Sequence, residues 1–189
     1  MIKEAIKKLV AGNDLTFDEA AQVMDEMFSG TATQSQMAAY LTALRIKGET
    51  IDEITASAQV MREKALHIKP NRDVLDIVGT GGDGTGTFNI STTAAFIIAA
   101  AGIPVAKHGN RSMSSKSGSA DCLEQLGINI NITPEKSEEV LNKAGICFMF
   151  AQGYHSSMKY VGPVRKEIGI RNIFNVLGPL TNPAGADLQ

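Results

Sequence analysis

Between Asp83 and Asp121 the sequence contains no aspartate or glutamate, while Lys107, His108, Arg111 and Lys116 all fall inside that interval. The dinucleotide pattern G-x-G-x-x-G needs an acidic residue at the end of the next strand to hold a ribose hydroxyl. Gly79, Gly81 and Gly84 match the glycines of that pattern, but the strand that should end in the acid ends in Lys107-His108. A Gly-Lys-Ser/Thr closure is missing as well, which excludes a P-loop. Cysteine is scarce: Cys122 and Cys147 lack metal-ligand spacing and read as reduced core residues, not a disulfide pair. Long apolar runs are missing too, since the longest, Ala94 to Ala106, is interrupted by Gly102 and Pro104 and is too short to span a bilayer. The opening Met1-Ile2-Lys3-Glu4 leads into an amphipathic pattern and not an export signal, so a cytoplasmic protein with no membrane partner is expected. A net charge of -2 argues against a general nucleic-acid binder and leaves room for a local basic pocket.

What the chain does have is concentrated between Val74 and Thr93. Val74, Leu75, Ile77 and Val78 suit a buried parallel strand, and Gly79, Gly81, Gly82, Gly84 and Gly86 permit turns that a Cβ would block. A helix is predicted to begin near Ser91. Loop amides and the positive end of that helix would converge on one point, where an anion, and a phosphate above all, is stabilised. A tight strand-to-helix turn is the plainer alternative, but five glycines exceed what a turn requires.

The first third reads as helical. Ile2, Ile6, Leu9 and Val10 share a face, and capping-box pairs follow at Thr16 with Glu19, Thr33 with Gln36 and Thr50 with Glu53. Four short-linked helices over residues 1–66 form a compact cluster whose leftover apolar surface favours pairing with a second copy, a homodimer through this domain. Residues 67–73, with Pro70, read as a linker in which His67 is solvated. Residues 74–189 read as an α/β domain.

In that domain Thr92 to Ala101 is predicted to be a helix buried on the sheet, and Ile103 to Ala106 the second strand. The Lys107 to Ser119 loop, rich in hydroxyls and basic groups, then lies at the same carboxyl edge as the Gly79 loop, where open α/β sheets bind ligands. Further predicted elements are a helix from Ser119 to Leu126, a strand at Ile128, Ile130 and Ile132, a helix opened by Thr133-Pro134, and a strand from Ile146 to Phe150. Tyr154 to Lys159 and Pro163 to Arg165 are placed at the next carboxyl edge. His155 reads as a helix cap or a partner of a backbone carbonyl and not as a general base, because no acid stands near it in sequence to orient it. The thin sheet suggests the N-terminal portion of a longer protein.

Gly79-Thr-Gly-Gly-Asp83, Asn89-Ile-Ser-Thr92, Lys107-His-Gly-Asn-Arg111, Gly118-Ser-Ala-Asp121 and Gly178-Pro-Leu180, in this order, resemble the anthranilate phosphoribosyltransferases. That resemblance implies a helical domain followed by a parallel-sheet α/β domain of the nucleoside phosphorylase/phosphoribosyltransferase class, truncated here. It also implies Mg²⁺ and a homodimer, with phosphoribosyl pyrophosphate and anthranilate as substrates in tryptophan biosynthesis. By that resemblance Gly79, Gly82, Asp83, Thr87, Asn89, Ile90, Ser91 and Thr92 hold the donor, and Ser91 touches magnesium. Lys107, His108, Gly109, Asn110, Arg111, Ser112, Met113, Ser114 and Ser115 wrap the phosphates, with Ser119 completing the shell and Lys107 stabilising the leaving group. Asn110 and Arg165 contact anthranilate. The family's acidic Asp-Glu pair has no counterpart in these residues. Gln152 or Gly153, and Ser156, stand where members often carry prolines, which implies altered loop stiffness. Pyrimidine nucleoside phosphorylase and a non-catalytic binding relative remain the alternatives; the Lys107-His108-Gly109-Asn110-Arg111 run disfavours the first, and Arg165 and a pI near 5.9 the second.

Overall fold

The computed structural model describes residues 1–80, 88–112 and 117–189. These divide into two units, one made of Met1–Ala65 with Ser156–Thr181, the other of Leu66–His155 with Asn182–Gln189.

In the helical unit the capping boxes fall where the sequence puts them. Thr16, Thr33 and Thr50 each accept a hydrogen bond from the amide three residues on, and start α2 (Phe17–Phe28), α3 (Gln34–Lys47) and α4 (Ile51–Glu63), after α1 (Ile2–Val10). Gly30 follows α2 at a φ of 75°, and a Cβ there would lie 2.7 Å from the Tyr160 ring. Tyr40, Met24, Met27, Leu41 and Leu44 are essentially removed from water in the core. Glu53, third residue of α4, is buried with them but fully engaged: it accepts from the Leu15 amide at 2.9 Å, the Thr50 amide at 2.8 Å and the Lys47 ammonium at 2.9 Å.

The same core contains Val161 and Val164 of α9 (Met158–Ile168) and Phe174 and Leu177 of α10 (Phe174–Leu180). The sequence reading placed these residues in the α/β domain. They group with the helices because their apolar faces complete the helical core.

The sheet unit is built on β1 (Val105–Gly109) and β2 (Ile146–Phe150), parallel, with Val105 opposite Ile146, Lys107 opposite Phe148 and Gly109 opposite Phe150. The predicted Val74 to Val78 strand shrinks to Leu75, which bridges in parallel to Val105 on one side and Leu188 on the other. Its flanking residues pair too briefly to extend a ladder. The predicted strand at Ile128 to Ile132 does not form. The Asn129 side chain accepts from the Asn131 amide at 3.0 Å, a local turn that competes with a ladder. Only Ile130 of that alternation is buried, beside Ala120, Leu123 and Phe150.

Around the strands lie α5 (Ile90–Ala100), α6 (Ser119–Gln125), α7 (Pro134–Ala144) and α8 (Ala151–Tyr154). Pro134 opens α7 and Gly145 ends it in the left-handed conformation, as the sequence predicts. The expected burial of α5 is only partly observed. Thr92 and Ala95 are buried, whereas Phe96 is 40% and Ile97 66% exposed, because one face alone meets the strands. Both cysteines are free. No helix among the described residues is long and apolar enough to cross a membrane.

Candidate functional site

At Leu75 the chain runs parallel to β1, so the segment leaving through Ile77 to Gly79 and the one leaving through Lys107 to Asn110 emerge at one edge of the sheet unit. Lys107 is buried, and its ammonium donates to the Ile77 carbonyl. Burial lowers its pKa, and the negative charge of Asp76 acts in the opposite direction. Asp76, 1% exposed, accepts from the His108 amide at 3.1 Å, while its second carboxylate oxygen has no hydrogen-bond partner within bonding distance among the described residues. Burial raises the Asp76 pKa more than Asn182, the His108 amide and Lys107 lower it. Beside this pair the His108 and His155 rings, both buried, face each other with centroids 5.1 Å apart. His155 therefore stands in the interior of the unit, next to a residue assigned to the site.

The basic loop is closed at its base by α6. Asp121 accepts from the amides of Gly118 at 2.8 Å and Ser112 at 3.1 Å, and the Ala120 amide donates to the Asn110 carbonyl at 3.2 Å. Gly118 is required here, because a Cβ would lie 2.3 Å from the Ser112 nitrogen. Arg111, predicted to wrap phosphate, is bonded to Asp121 at 3.0 Å and to both oxygens of Glu124, with its guanidinium 5.4 Å from the centre of the Phe150 ring. Sequence spacing hides this clamp, since α6 carries both acids back to the loop.

Asn89, before α5, donates to the Ser117 hydroxyl at 3.2 Å, joining the helix start to the end of the basic loop. No side chain among the described residues caps α5; the Ile90 amide donates to the Phe88 carbonyl at 2.7 Å and the Thr93 amide to the Asn89 carbonyl at 3.0 Å, which among the described residues leaves the Ser91 and Thr92 amides for another acceptor. In that turn Ser91 is half-buried, Ile90 is exposed, and the buried Thr92 hydroxyl has no partner among the described residues. Gly79 and Asn110 are exposed and Ser119 half-buried. Gly109 packs closely, since a Cβ would lie 2.7 Å from Phe148. Gly82, Asp83, Thr87, Met113, Ser114 and Ser115 lie outside the described residues.

The structure thus gathers Gly79, Asn89, Ser91, Thr92, Lys107 to Ser112 and Ser119 into one unit. Arg165 belongs to the other. On α9 it is half-buried, its guanidinium lies 5.2 Å from the centre of the Phe174 ring, and its Nε has no hydrogen-bond partner among the described residues. Burial lowers its pKa, yet a guanidinium stays charged across the working range.

No group of three or more His, Cys, Asp or Glu side chains suited to a metal occurs among the described residues. Ser91 offers one hydroxyl, the hard oxygen donor that Mg²⁺ accepts, but one donor leaves most of an octahedron to be filled by phosphate oxygens, water and other groups. Sequence reasoning passed over Asp76 and Asn182. The available signal was Asp76 itself, an acid inside the apolar Val74 to Val78 run.

Residues 3–65 match the glycosyl transferase family, helical bundle domain, and residues 71–189 the glycosyl transferase family, a/b domain. An anthranilate phosphoribosyltransferase of Ruminiclostridium cellulolyticum is 61% identical over 189 residues, covering 100% of this chain and 55% of that protein. The crystal structure of anthranilate phosphoribosyltransferase from Thermus thermophilus matches with a TM-score of 0.91 at 49% identity, over 97% of this chain and 56% of that one. Anthranilate phosphoribosyltransferase from Saccharomyces cerevisiae in complex with PRPP and Mg matches with a TM-score of 0.86 at 29% identity, over 96% of this chain and 55% of that one. The chain spans about half the length of the relatives it matches.

Proposed function

The chain belongs to the glycosyl transferase family that joins a helical bundle domain to an a/b domain, and from that premise we propose that it is the donor-binding portion of an anthranilate phosphoribosyltransferase. The reaction is transfer of the phosphoribosyl group of phosphoribosyl pyrophosphate to the amine of anthranilate, with release of pyrophosphate, in tryptophan biosynthesis. The observation that carries this reading is the buried Lys107 ammonium on the Ile77 carbonyl, where the glycine loop begins, in the same unit as the uncapped start of α5.

The chemistry follows from charge. An aniline-type amine is neutral at pH 7 and needs little help from a base. The demanding step is departure of pyrophosphate from a carbon gaining oxocarbenium character. Lys107, the α5 amides and the amides and hydroxyls of the Asn110 to Ser119 loop stabilise the charge that develops on the leaving group. Mg²⁺, when bound with the donor, supplies further neutralisation of the diphosphate, and Ser91 is the hydroxyl this chain contributes to it. Gly82, Asp83, Thr87 and Met113 to Ser115 are assigned to the donor on the motif alone. Arg165 takes the anthranilate carboxylate, for which its planar fork is suited. The exposed Val10, Ile46 and Ile51 of the helical unit support a homodimer through that unit. A cytoplasmic enzyme acting on small molecules, with neither nucleic acid nor membrane as partner, completes the reading.

Loss of anthranilate fluorescence on adding phosphoribosyl pyrophosphate and Mg²⁺ tests the activity in the protein extended to its relatives' length, with uridine plus phosphate as the counter-test for a phosphorylase. Arg165→Ala removes one charge-assisted contact, about 1.5–3 kcal/mol, and is expected to weaken anthranilate binding roughly tenfold to a hundredfold. An unchanged dissociation constant removes Arg165 from the acceptor site.

A further inference from the structure

Asp76 is the only residue of the sheet unit, among those described, whose buried carboxylate reaches the Lys107-His108 segment. Its main chain is bound into the sheet, donating to the Leu188 carbonyl at 2.9 Å, so the carboxylate is carried on a fixed backbone. One oxygen holds the His108 amide, and the other, buried, makes no hydrogen bond among the described residues. Lys107 is buried one residue before that amide, and its ammonium meets the carbonyl of Ile77, the neighbour of Asp76. Asn182 closes the arrangement: its amide donates to the Ala106 carbonyl at 2.9 Å, on the residue before Lys107. Three consecutive residues of β1 are thus held by buried polar contacts that involve Asp76, Ile77 and Asn182.

We propose that Asp76 is a positioning residue for Lys107: its buried carboxylate keeps the ammonium charged and held at the Ile77 carbonyl, where the glycine loop begins. The proposal rests on the reading of Lys107 as a ligand of the donor's diphosphate. A buried ammonium without a nearby anion tends to shed its proton, and a neutral amine is of little use against a diphosphate. A carbonyl accepts the hydrogen bond but brings no net charge. Asp76 supplies that charge through the buried interior without forming an ion pair with Lys107, and its hydrogen bond to the His108 amide fixes where the charge sits. The other titratable groups on the elements packed around the pair are His108 of β1, His155 after α8 and Cys147 of β2. The Cys147 thiol, pushed up to about 12 by burial and by Asp76, stays neutral.

The test reads Lys107 itself. In the 189-residue chain the ¹³Cε titration of Lys107 is followed by NMR in the unmodified protein and in Asp76→Asn, which preserves size and the acceptor for His108. The Lys107 midpoint is expected to fall by about one pH unit or more in the variant. Calorimetry with inorganic pyrophosphate and Mg²⁺ should show the two proteins alike near pH 6, and the variant roughly tenfold weaker near pH 9, one unit of midpoint being one decade of protonated amine. A Lys107 midpoint that does not move overturns the proposal, and so does an affinity loss that is equal at every pH, as a purely structural role would give. Lys107→Met is the reciprocal variant and serves if Asp76→Asn does not fold. Removing the ammonium should raise the Asp76 ¹³Cγ midpoint, and an unmoved midpoint again overturns the coupling. If that midpoint moves while Lys107→Met leaves pyrophosphate affinity unchanged, the coupling stands and the reading of Lys107 as a donor ligand falls.

Discussion

Among the described residues each unit buries one carboxylate, and the two are treated in opposite ways. Glu53 in the helical unit has both oxygens occupied, by two amides and the Lys47 ammonium. Burial pushes its pKa up, but the Leu15 and Thr50 amides and Lys47 pull harder, and the carboxyl stays below its ordinary range. Asp76 in the sheet unit leaves one oxygen without a hydrogen bond, and there burial wins. The difference teaches what each unit is built for. A carboxylate that is fully satisfied ties the loop before α2 and the end of α3 to the start of α4, whereas one left incompletely compensated keeps its field available to a neighbour, in this case Lys107.

The largest effect is therefore expected at Glu53. Glu53→Ala leaves Lys47 without this buried partner and strips acceptors from two amides, which should cost about 3–5 kcal/mol, read as a drop in the urea midpoint at constant slope. The two carboxylates also differ in the sign of their pH dependence. Glu53 has a folded pKa below 4.5, so its contribution is complete above pH 4.5 and is lost as pH falls through the folded value. Asp76 has a folded pKa above 3.8, so the native state holds the proton more tightly, and acidification from neutrality toward 3.8 favours its unit. Amide exchange between pH 7 and 4.5 should show protection rising near β1 while it holds in α4, and Asp76→Asn should abolish the rise. Parallel behaviour of both units would erase the contrast.

Next in size is Leu177→Ala. Leu177 is fully buried in α10, inside the helical core although in sequence it lies between the two segments of the sheet unit, Leu66–His155 and Asn182–Gln189. Its loss should cost about 2–5 kcal/mol and reduce exchange protection in α1 to α4 more than in β1 and β2. Protection lost first in the strands would instead assign Ser156–Thr181 to the sheet.

That assignment marks where the sequence stops being legible. The starts of α2, α3 and α4 are written in residues three apart and that of α7 in the adjacent Thr133-Pro134, so a local rule finds them. Which core receives Val161 or Leu177 depends on partners more than 100 residues away, and helical period is blind to that. That Gly79, Lys107 and Asn110 leave the sheet unit at one edge could be read in advance, because residue type and strand order suffice. Arg111 could not be placed, because its partners Asp121 and Glu124 come round on α6. The apolar composition of α5 reports that something should cover it, and says nothing of how many faces the strands reach. Asp76 escaped notice because an acid in a strand has no period of its own.

The smallest effect sharpens the comparison by being alike in both units. Thr16 opens α2 in the helical unit and Thr133 opens α7 in the sheet unit, and each hydroxyl accepts the amide three residues on at 3.3 Å. Thr16 adds the reciprocal arm, since Glu19 accepts from the Thr16 amide at 2.8 Å, while the third residue of α7 is Lys136 and supplies none. In place of that arm α7 has Pro134 at its first position, where a fixed φ already suits the helix. Alanine at either threonine removes the same acceptor from an exposed helix end and should cost about 1 kcal/mol in both units, read as similar shifts in thermal midpoint. A cap is a contact within one turn, so the cost should not depend on whether the helix behind it packs into a dense apolar core or against two short strands. A Thr133→Ala loss several times larger would mean that α7 is held mainly by its own first turn, and that the sheet unit depends on local helix signals more than the helical unit does.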